Sequence, residues 1–159
     1  EPKPFSFTDK LMNIPSLDGE GKMSKSKPDY TCIYLEDEPG LIRKKIMRMP
    51  TDSGPKEMNS AKPLAIQNIF DLLTLVSKKE TIDFFDDAYN NCTIRYGDIK
   101  KQLAEDMVNF LSPVRDKIKE LSNNEKRVYE ILGDGGSKAR ASASRTLKDV
   151  REIIGIKSF

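Results

Sequence analysis

The sequence predicts a mainly α-helical protein in which a bundle of helices follows a flexible loop. Apolar residues recur at helical spacing over most of the chain after residue 38. Glycine, proline and asparagine separate these apolar stripes, as expected where one helix ends and the next begins. A glycine- and lysine-rich stretch near residue 20 has no helical period. Together these observations favour a helical bundle attached to a loop.

Composition is that of an ordinary folded protein without a membrane span. The chain has 159 residues, of which 37% are hydrophobic and 33% are charged. No apolar run approaches the length needed to cross a bilayer. The formal net charge of +2 is nearly balanced, so charge alone does not predict a nucleic-acid binder. Cys32 and Cys92 lack metal-type spacing and are expected to be reduced thiols in the cytoplasm.

The loop carries the clearest chemistry. Residues 17–28 read LDGEGKMSKSKP, so two glycines lead into ammonium and hydroxyl groups that alternate around one methionine. These groups suit a partner rich in oxygen and negative charge, and a polyphosphate fits best. The glycines are expected to let the loop close over a nucleotide and reopen. A solvated, lysine-rich surface turn is the alternative.

Two short elements are predicted directly after the loop. Residues 31–35 are rich in β-prone side chains and predict a short strand. Residues 37–39 combine acidic cap candidates with a proline, which predicts a helix that runs to about residue 48. The basic residues of this helix are expected to form a solvated face; they are Arg43, Lys44, Lys45 and Arg48.

Three further helices form the centre of the predicted bundle. Dense apolar residues over 64–76 predict a buried central helix, and residues 82–89 predict a shorter one that closes at residues 90–91. A long helix follows, with Asp98 as its N-cap and with Pro113 expected to kink or divide it. Its apolar stripe consists of Ile99, Leu103, Met107, Phe110, Leu111, Val114, Ile118 and Leu121.

The last segment predicts two helices separated by a glycine-rich break. Asn123 or Asn124 caps the first helix, and residues 133–136, which read GDGG, are expected to end it. Ser137 caps the second helix, and Gly155 ends it. The expected core face of this second helix consists of Ala139, Ala143, Leu147, Val150 and Ile154.

Residues 22–26 read KMSKS, and on this signature the chain resembles the class I aminoacyl-tRNA synthetases. Other motifs narrow the resemblance to the tryptophanyl-tRNA synthetase family, in the family's order from about residue 14 to residue 155. These motifs are IYLEDEP at 33–39, TDSG at 51–54, YGDIKKQLAE at 96–105, LSPVR at 111–115 and GSKARASASRTLKDV at 136–150. Lys27 departs from the acidic residue or asparagine that often follows KMSKS in bacterial members, which makes the loop more basic.

The resemblance implies two functional domains. Residues 1–30 would be the tail end of a Rossmann-type catalytic domain with the KMSKS loop, and residues 31–159 a helical anticodon-binding domain. The family's histidine-containing signature precedes KMSKS, and this chain has no histidine. The resemblance therefore implies the C-terminal part of a larger cytoplasmic enzyme, inactive alone, whose amino-acid pocket lies upstream.

The resemblance also implies a reaction and its partners. The full enzyme would activate L-tryptophan with ATP, giving Trp-AMP and pyrophosphate, and would then charge tRNA(Trp), acting as a homodimer. Lys22 and Lys25 would be catalytic, because they would stabilise charge on the departing pyrophosphate. Met23, Ser24 and Ser26 would join them in binding ATP. Mg²⁺ would accompany ATP, and no carboxylate cluster predicts a dedicated metal site.

Clustered cations on the helices are candidates for tRNA contact, although each could equally be a solubilising residue. They are Arg95, Lys100, Lys101, Arg140, Arg145 and Lys148. Three alternatives stay open: part of a tyrosyl-tRNA synthetase, a non-catalytic helical RNA-binding module, and a purely structural helical protein. The ordered motifs favour the tryptophan family over all three.

Overall fold

The computed structural model describes residues 13–156, which are mainly helical. A short 3₁₀ turn, Asp29–Thr31, precedes the helices α1 (Pro39–Met47), α2 (Leu64–Val76), α3 (Lys79–Asn90), α4 (Tyr96–Ser122) and α5 (Glu125–Ile153). Within the described residues, β-structure is limited to one isolated antiparallel bridge between Pro15 and Lys22. The predicted helical class is therefore confirmed. No helix in the described part of the chain is long and apolar enough to span a membrane.

The chain divides into two compact units, Glu1–Arg115 and Asp116–Phe159. The boundary falls inside α4, two residues after Pro113. The helix is nevertheless continuous through this proline, so it is not divided there. The predicted functional boundary at residue 30 is a different division. This functional division stays a prediction, and residues 1–12 of its first domain lie outside the described range.

The core of the first unit is built around α2. Its residues Ile66, Ile69, Leu72 and Leu73 are at most 1% exposed, which confirms the predicted central helix. Burying each such side chain contributes about 1.5–3 kcal/mol before the entropy of ordering it is subtracted. Helices α1, α3 and α4 contribute buried residues to the same hydrophobic core; these residues include Ile42, Ile46, Phe85, Tyr89, Ile99, Leu103 and Met107. Phe110 and Val114, expected in the stripe of α4, are exposed.

Two local predictions after the loop are wrong. Thr31 donates to the Pro28 carbonyl from both its backbone N–H (2.9 Å) and its Oγ1 (2.7 Å), so the chain turns where a strand was expected. Beyond this turn, the described chain offers residues 32–35 no strand to pair with. The cap assignment of Asp98 also fails, because α4 begins at Tyr96 and Asp98 lies in its first turn.

The second unit contains the long helix α5, which is not broken at its glycines. The helix continues through residues 133–136, and Ser137 lies inside it, donating from Oγ to the Gly133 carbonyl at 2.9 Å. Lys138 pairs with Asp134 one turn away at 2.7 Å. None of the α5 residues is buried, so the expected core face is wrong: Ala139, Ala143, Leu147, Val150 and Ile154 are all exposed.

Both ends of α5 lie where the sequence predicted a helix start and a helix end. The Asn124 side chain accepts a hydrogen bond from the Arg127 N–H at 3.0 Å, which confirms the predicted N-cap. Gly155 has a φ of +74°, and the Ile156 N–H donates back to the Arg151 carbonyl at 2.9 Å. This is the arrangement in which glycine is favoured after a helix, because it has no Cβ to clash.

Candidate nucleotide-binding loop

The lysine-rich loop emerges from a short hairpin. The Met23 N–H donates to the Ile14 carbonyl at 2.8 Å, and the Ser16 N–H donates to the Gly21 carbonyl at 3.0 Å. The turn between the two arms places Gly19 at a φ of +87°, a backbone conformation that residues with a Cβ rarely adopt. The backbone leading into the KMSKS residues is therefore fixed by hydrogen bonds.

The same hairpin is joined to the turn that follows the loop. The Leu17 N–H donates to the Thr31 carbonyl at 3.0 Å, and Ser16 Oγ donates to the same oxygen at 3.3 Å. Ser16 and Thr31 are fully buried, and Leu17 belongs to the hydrophobic core. The loop, residues 22–28, thus begins and ends at fixed points on one face of the first unit.

Within the loop, the two predicted catalytic lysines are exposed and the methionine is turned inward. None of the ion pairs among the described residues involves Lys22 or Lys25. The Met23 sulfur accepts a hydrogen bond from the Ile33 N–H at 3.5 Å, and its side chain packs against the core. Uncompensated ammonium groups next to an ordered backbone are suited to attracting an anion.

The two serines of the loop are close to each other. Ser24 Oγ and Ser26 Oγ are 2.8 Å apart, and the Lys27 N–H donates to the Ser24 carbonyl at 3.3 Å, which closes a turn. The two hydroxyls are therefore close together. Each could give up its hydrogen bond to the other and donate instead to one shared acceptor on a ligand.

Lys27 does not add to the exposed positive charge. Its ammonium pairs with Asp18 at 3.4 Å and also donates to the Glu20 carbonyl. The pKa of Asp18 lies below its ordinary value, mainly because its carboxylate accepts a hydrogen bond from the Glu20 N–H and further because of Lys27. The positive charge that Lys27 adds to the loop is thus balanced in the structure by the carboxylate of Asp18.

A buried lysine lies beneath the end of the loop. Lys45, on α1, is 1% exposed, and its Nζ lies 2.8 Å from Asp37 Oδ2 and 3.2 Å from Asp29 Oδ2. Nζ is also 4.7 Å from the centre of the Tyr34 ring. Burial lowers the pKa of Lys45, but its hydrogen bonds to Asp37 and Asp29 outweigh burial and raise the pKa above its ordinary value.

The prediction that Lys45 belongs to a solvated basic face is therefore wrong. A signal was present in the sequence, because Lys45 lies three residues after Ile42 and four before Met49, on the apolar stripe of α1. A lysine on such a stripe needs a buried carboxylate, and Asp37 is a nearby candidate in the chain.

Two of the sequence motifs contact each other in the first unit. The Tyr96 hydroxyl donates to Asp52 Oδ1 at 2.7 Å, and the same oxygen accepts from the Gly54 N–H at 2.8 Å. Burial, and next the hydrogen bond to Asp52, raise the pKa of Tyr96 far above its ordinary value. This contact joins the TDSG loop to the start of α4.

The candidate RNA-contacting cations differ in exposure. Lys100 is 8% exposed and donates to the Met49 carbonyl at 2.5 Å, a position that does not suit contact with RNA. Arg95 and Lys101 are exposed, and Arg95 lines an open cavity of about 370 Å³ together with Phe84. In the second unit, Arg140, Arg145 and Lys148 are exposed on α5, and Lys148 lies 3.8 Å from Glu152.

Sequence comparison identifies the family. The model of the family described as tRNA synthetases class I (W and Y) matches residues 1–112. The chain therefore belongs to the class I tRNA synthetases of the tryptophan and tyrosine group. Within that group it is similar to tryptophan–tRNA ligases: it is 46% identical to the enzyme of Porphyromonas gingivalis, over 99% of this chain and 47% of the relative.

Structural comparison agrees with this assignment. The tryptophanyl-tRNA synthetase of Campylobacter jejuni, complexed with ADP and tryptophan, superimposes with a TM-score of 0.72 at 27% identity, over 93% of this chain and 45% of that one. The tyrosyl-tRNA synthetase of Aeropyrum pernix gives a TM-score of 0.51 at 21% identity, over 82% of this chain and 37% of that one, and shares the fold. The tryptophan prediction is therefore favoured over the tyrosine alternative. The chain spans about half the length of the curated relatives it matches.

Proposed function

We propose that this chain supplies the nucleotide-handling loop and the tRNA-binding helices of a longer tryptophan–tRNA ligase. The full protein would act in the cytoplasm as a homodimer, and this part alone would be inactive. The observation that carries the proposal is the loop itself: Lys22 and Lys25 are exposed and lack ion-pair partners in the described chain, while the backbone on both sides is fixed.

In the first step, the carboxylate of tryptophan attacks the α-phosphorus of ATP, and the bond to pyrophosphate breaks. Negative charge grows on the departing pyrophosphate, so ammonium groups held nearby stabilise the transition state more than the ground state. Lys22 and Lys25 supply these groups. Ser24 and Ser26 exchange their mutual hydrogen bond for bonds to phosphate oxygens, and Met23 contributes backbone contacts near the adenine.

Mg²⁺ enters this scheme with the nucleotide. Among residues 13–156, no group of three acidic, cysteine or histidine side chains is placed to hold a metal ion. Triphosphate oxygens are ligands that Mg²⁺ prefers, and the ion usually keeps several waters when it binds them. The ATP phosphates would therefore carry the ion into the site. In the second step, the tryptophanyl group moves from Trp-AMP to the terminal ribose of tRNA(Trp).

The test is replacement of Lys25 by alanine in the full-length protein. Tryptophan-dependent exchange of pyrophosphate into ATP should slow roughly ten- to a thousandfold, by analogy with loss of one preorganised charge-stabilising group. The affinity for tRNA should not change. Lys79→Ala is the matched control, because Lys79 is exposed and lies on α3 away from the loop. An unaltered exchange rate in Lys25→Ala would refute the catalytic role.

The cavity beside Arg95 supports the tRNA part of the proposal. Phe84 is 66% exposed, and its ring lies 5.1 Å from that of Phe85 in a T-shaped arrangement. Asn91 and Thr93 provide polar groups on the same lining. Proteins bind unpaired RNA bases by stacking them on aromatic rings next to cationic side chains. Arg95 and Lys101 on the first unit, and Arg140, Arg145 and Lys148 on the second, are the proposed phosphate contacts.

A further inference from the structure

The ion cluster around Lys45 joins two parts of the chain with very different burial. Asp37 is 7% exposed, whereas the Asp29 side chain is 67% exposed. The Lys45 ammonium has three N–H donors, and the carboxylates of Asp37 and Asp29 both accept hydrogen bonds from it. Asp37 is held further by the Tyr34 N–H, which donates to Oδ2 at 3.0 Å. The bond from Lys45 to Asp29 therefore joins a buried ammonium to an exposed carboxylate.

Asp29 lies at the end of the loop. It follows Pro28 directly and begins the 3₁₀ turn Asp29–Thr31, and only three residues separate it from Lys25. Lys45, in contrast, lies on α1 next to Ile46, which is fully buried in the core. The contact between their side chains therefore connects the end of the loop to a rigid element of the first unit.

We infer that Lys45 is a positioning residue, which through Asp29 fixes the end of the KMSKS loop and so places the Lys25 ammonium for the departing pyrophosphate. The inference rests on the proposed function and assigns a role to a lysine outside the loop. Displacing a catalytic group by about 1 Å can lower a rate roughly a hundredfold, so a small shift of the loop end is sufficient.

The alternative is that the Asp29 bond contributes only to stability. Because Lys45 is buried, loss of one of its two carboxylates costs stability whichever role the bond has, and this alternative predicts that cost with an unchanged rate of chemistry. The positioning role predicts slower chemistry in protein that is still fully folded. Asp29→Asn separates the two, because it removes the charge at the loop end and leaves the Lys45–Asp37 pair intact.

The experiment uses the full-length protein and three readouts. For Asp29→Asn we expect kcat of tryptophan-dependent pyrophosphate exchange to fall roughly tenfold, consistent with a sub-ångström displacement. The Kd for tRNA should stay as in the wild type, and the rates are compared at a temperature well below the melting temperature of every variant. Asp29→Glu, which keeps the carboxylate, should recover most of the rate. Asp83→Asn is the control, because Asp83 is a similarly exposed carboxylate bonded to Lys79 at 2.8 Å on α3.

Each outcome decides one question. If Asp29→Asn exchanges pyrophosphate at the wild-type rate while Lys25→Ala is slow, the positioning role is wrong and the proposed function stands. A fall in melting temperature and tRNA affinity together with the rate would show a general structural defect, which also overturns the inference. If the wild-type protein shows no tryptophan-dependent exchange, the proposed function itself fails.

Discussion

Four lysines of the described chain show two kinds of surroundings for an ammonium group. Lys22 and Lys25 are exposed on the loop, so their charge is available to a ligand. Lys45 and Lys100 are 1% and 8% exposed, and their ammonium groups bond to two carboxylates and to a backbone carbonyl, respectively. Burial alone lowers the pKa of Lys100, because no carboxylate offsets its desolvation. The first group is suited to chemistry, and the second joins elements to each other.

At the same scale, Tyr96→Phe tests the contact between the TDSG and YGD motifs. Loss of the hydrogen bond to Asp52 should lower the free energy of unfolding by about 0.5–1 kcal/mol, at the low end because the site is partly exposed. The pKa of Tyr96 is raised in the folded protein, so this stability is fully present below the unfolded pKa of about 10 and is lost as pH rises further.

Urea unfolding of the wild type and of Tyr96→Phe at pH 8 and above pH 10 measures both effects. The difference in unfolding free energy between the two proteins should shrink or reverse as the pH rises. Other tyrosines and lysines titrate equally in both proteins and cancel in the difference. A difference that grows with pH would contradict the assigned hydrogen bond.

At the scale of elements, local propensity and the observed helices disagree most in α5. Each glycine in a helix interior lowers stability by about 1 kcal/mol relative to alanine, which is why three glycines in four residues predict a break. The observed helix continues, with Asn124 capping its start and the Lys138–Asp134 pair spanning the glycine segment. Pairs of this kind stabilise a helix by about 0.2–0.5 kcal/mol, which offsets only part of the glycine penalty.

Gly135→Ala tests whether the segment is helical. A Cβ on Gly135 would meet no other atom within 4 Å, so alanine should raise helix stability by about 1 kcal/mol. The far-ultraviolet circular dichroism and the melting temperature should both increase. Gly155→Ala is the contrasting control, because its φ of +74° makes alanine unfavourable there. A loss of helicity in Gly135→Ala would mean that residues 133–136 form a break after all.

At the scale of the whole molecule, ATP handling and tRNA binding are assigned to separate surfaces of the described chain. The loop, residues 22–28, begins and ends on the first unit and presents the ammonium groups proposed for ATP. The cavity lined by Phe84 and Arg95 is formed by α3, the start of α4 and the segment between them. The two sites share none of their residues, so substitutions in one should leave the function of the other intact.

Phe84→Ala in the full-length protein tests this separation. Loss of one stacked base should weaken tRNA binding by about 1–3 kcal/mol, while tryptophan-dependent pyrophosphate exchange without tRNA should remain at the wild-type rate. Phe110→Ala is the matched control for tRNA binding, because its ring is 57% exposed but lies outside this cavity. Unchanged tRNA affinity in Phe84→Ala would remove the cavity from the proposed tRNA surface.

Several features followed from the sequence by itself. The bounds of α2, the C-terminal end of α3 and the caps of α5 were predictable, because apolar spacing, asparagine and glycine act locally along the chain. The loop could also be found, because its letters form a family signature, and the family assignment is confirmed by comparison. The roles of its lysines and serines stay predictions.

Only the tertiary structure decided which charged residues lie inside. The sequence places Lys45 on the apolar stripe of α1, but only the structure shows that the carboxylates of Asp29 and Asp37 converge on it. The burial of Thr31 and of Lys100 likewise depends on contacts between segments distant in the chain. Local pattern located helices such as α2, whereas a charge can be buried only where the fold brings it a partner, and that is a property of the packed molecule.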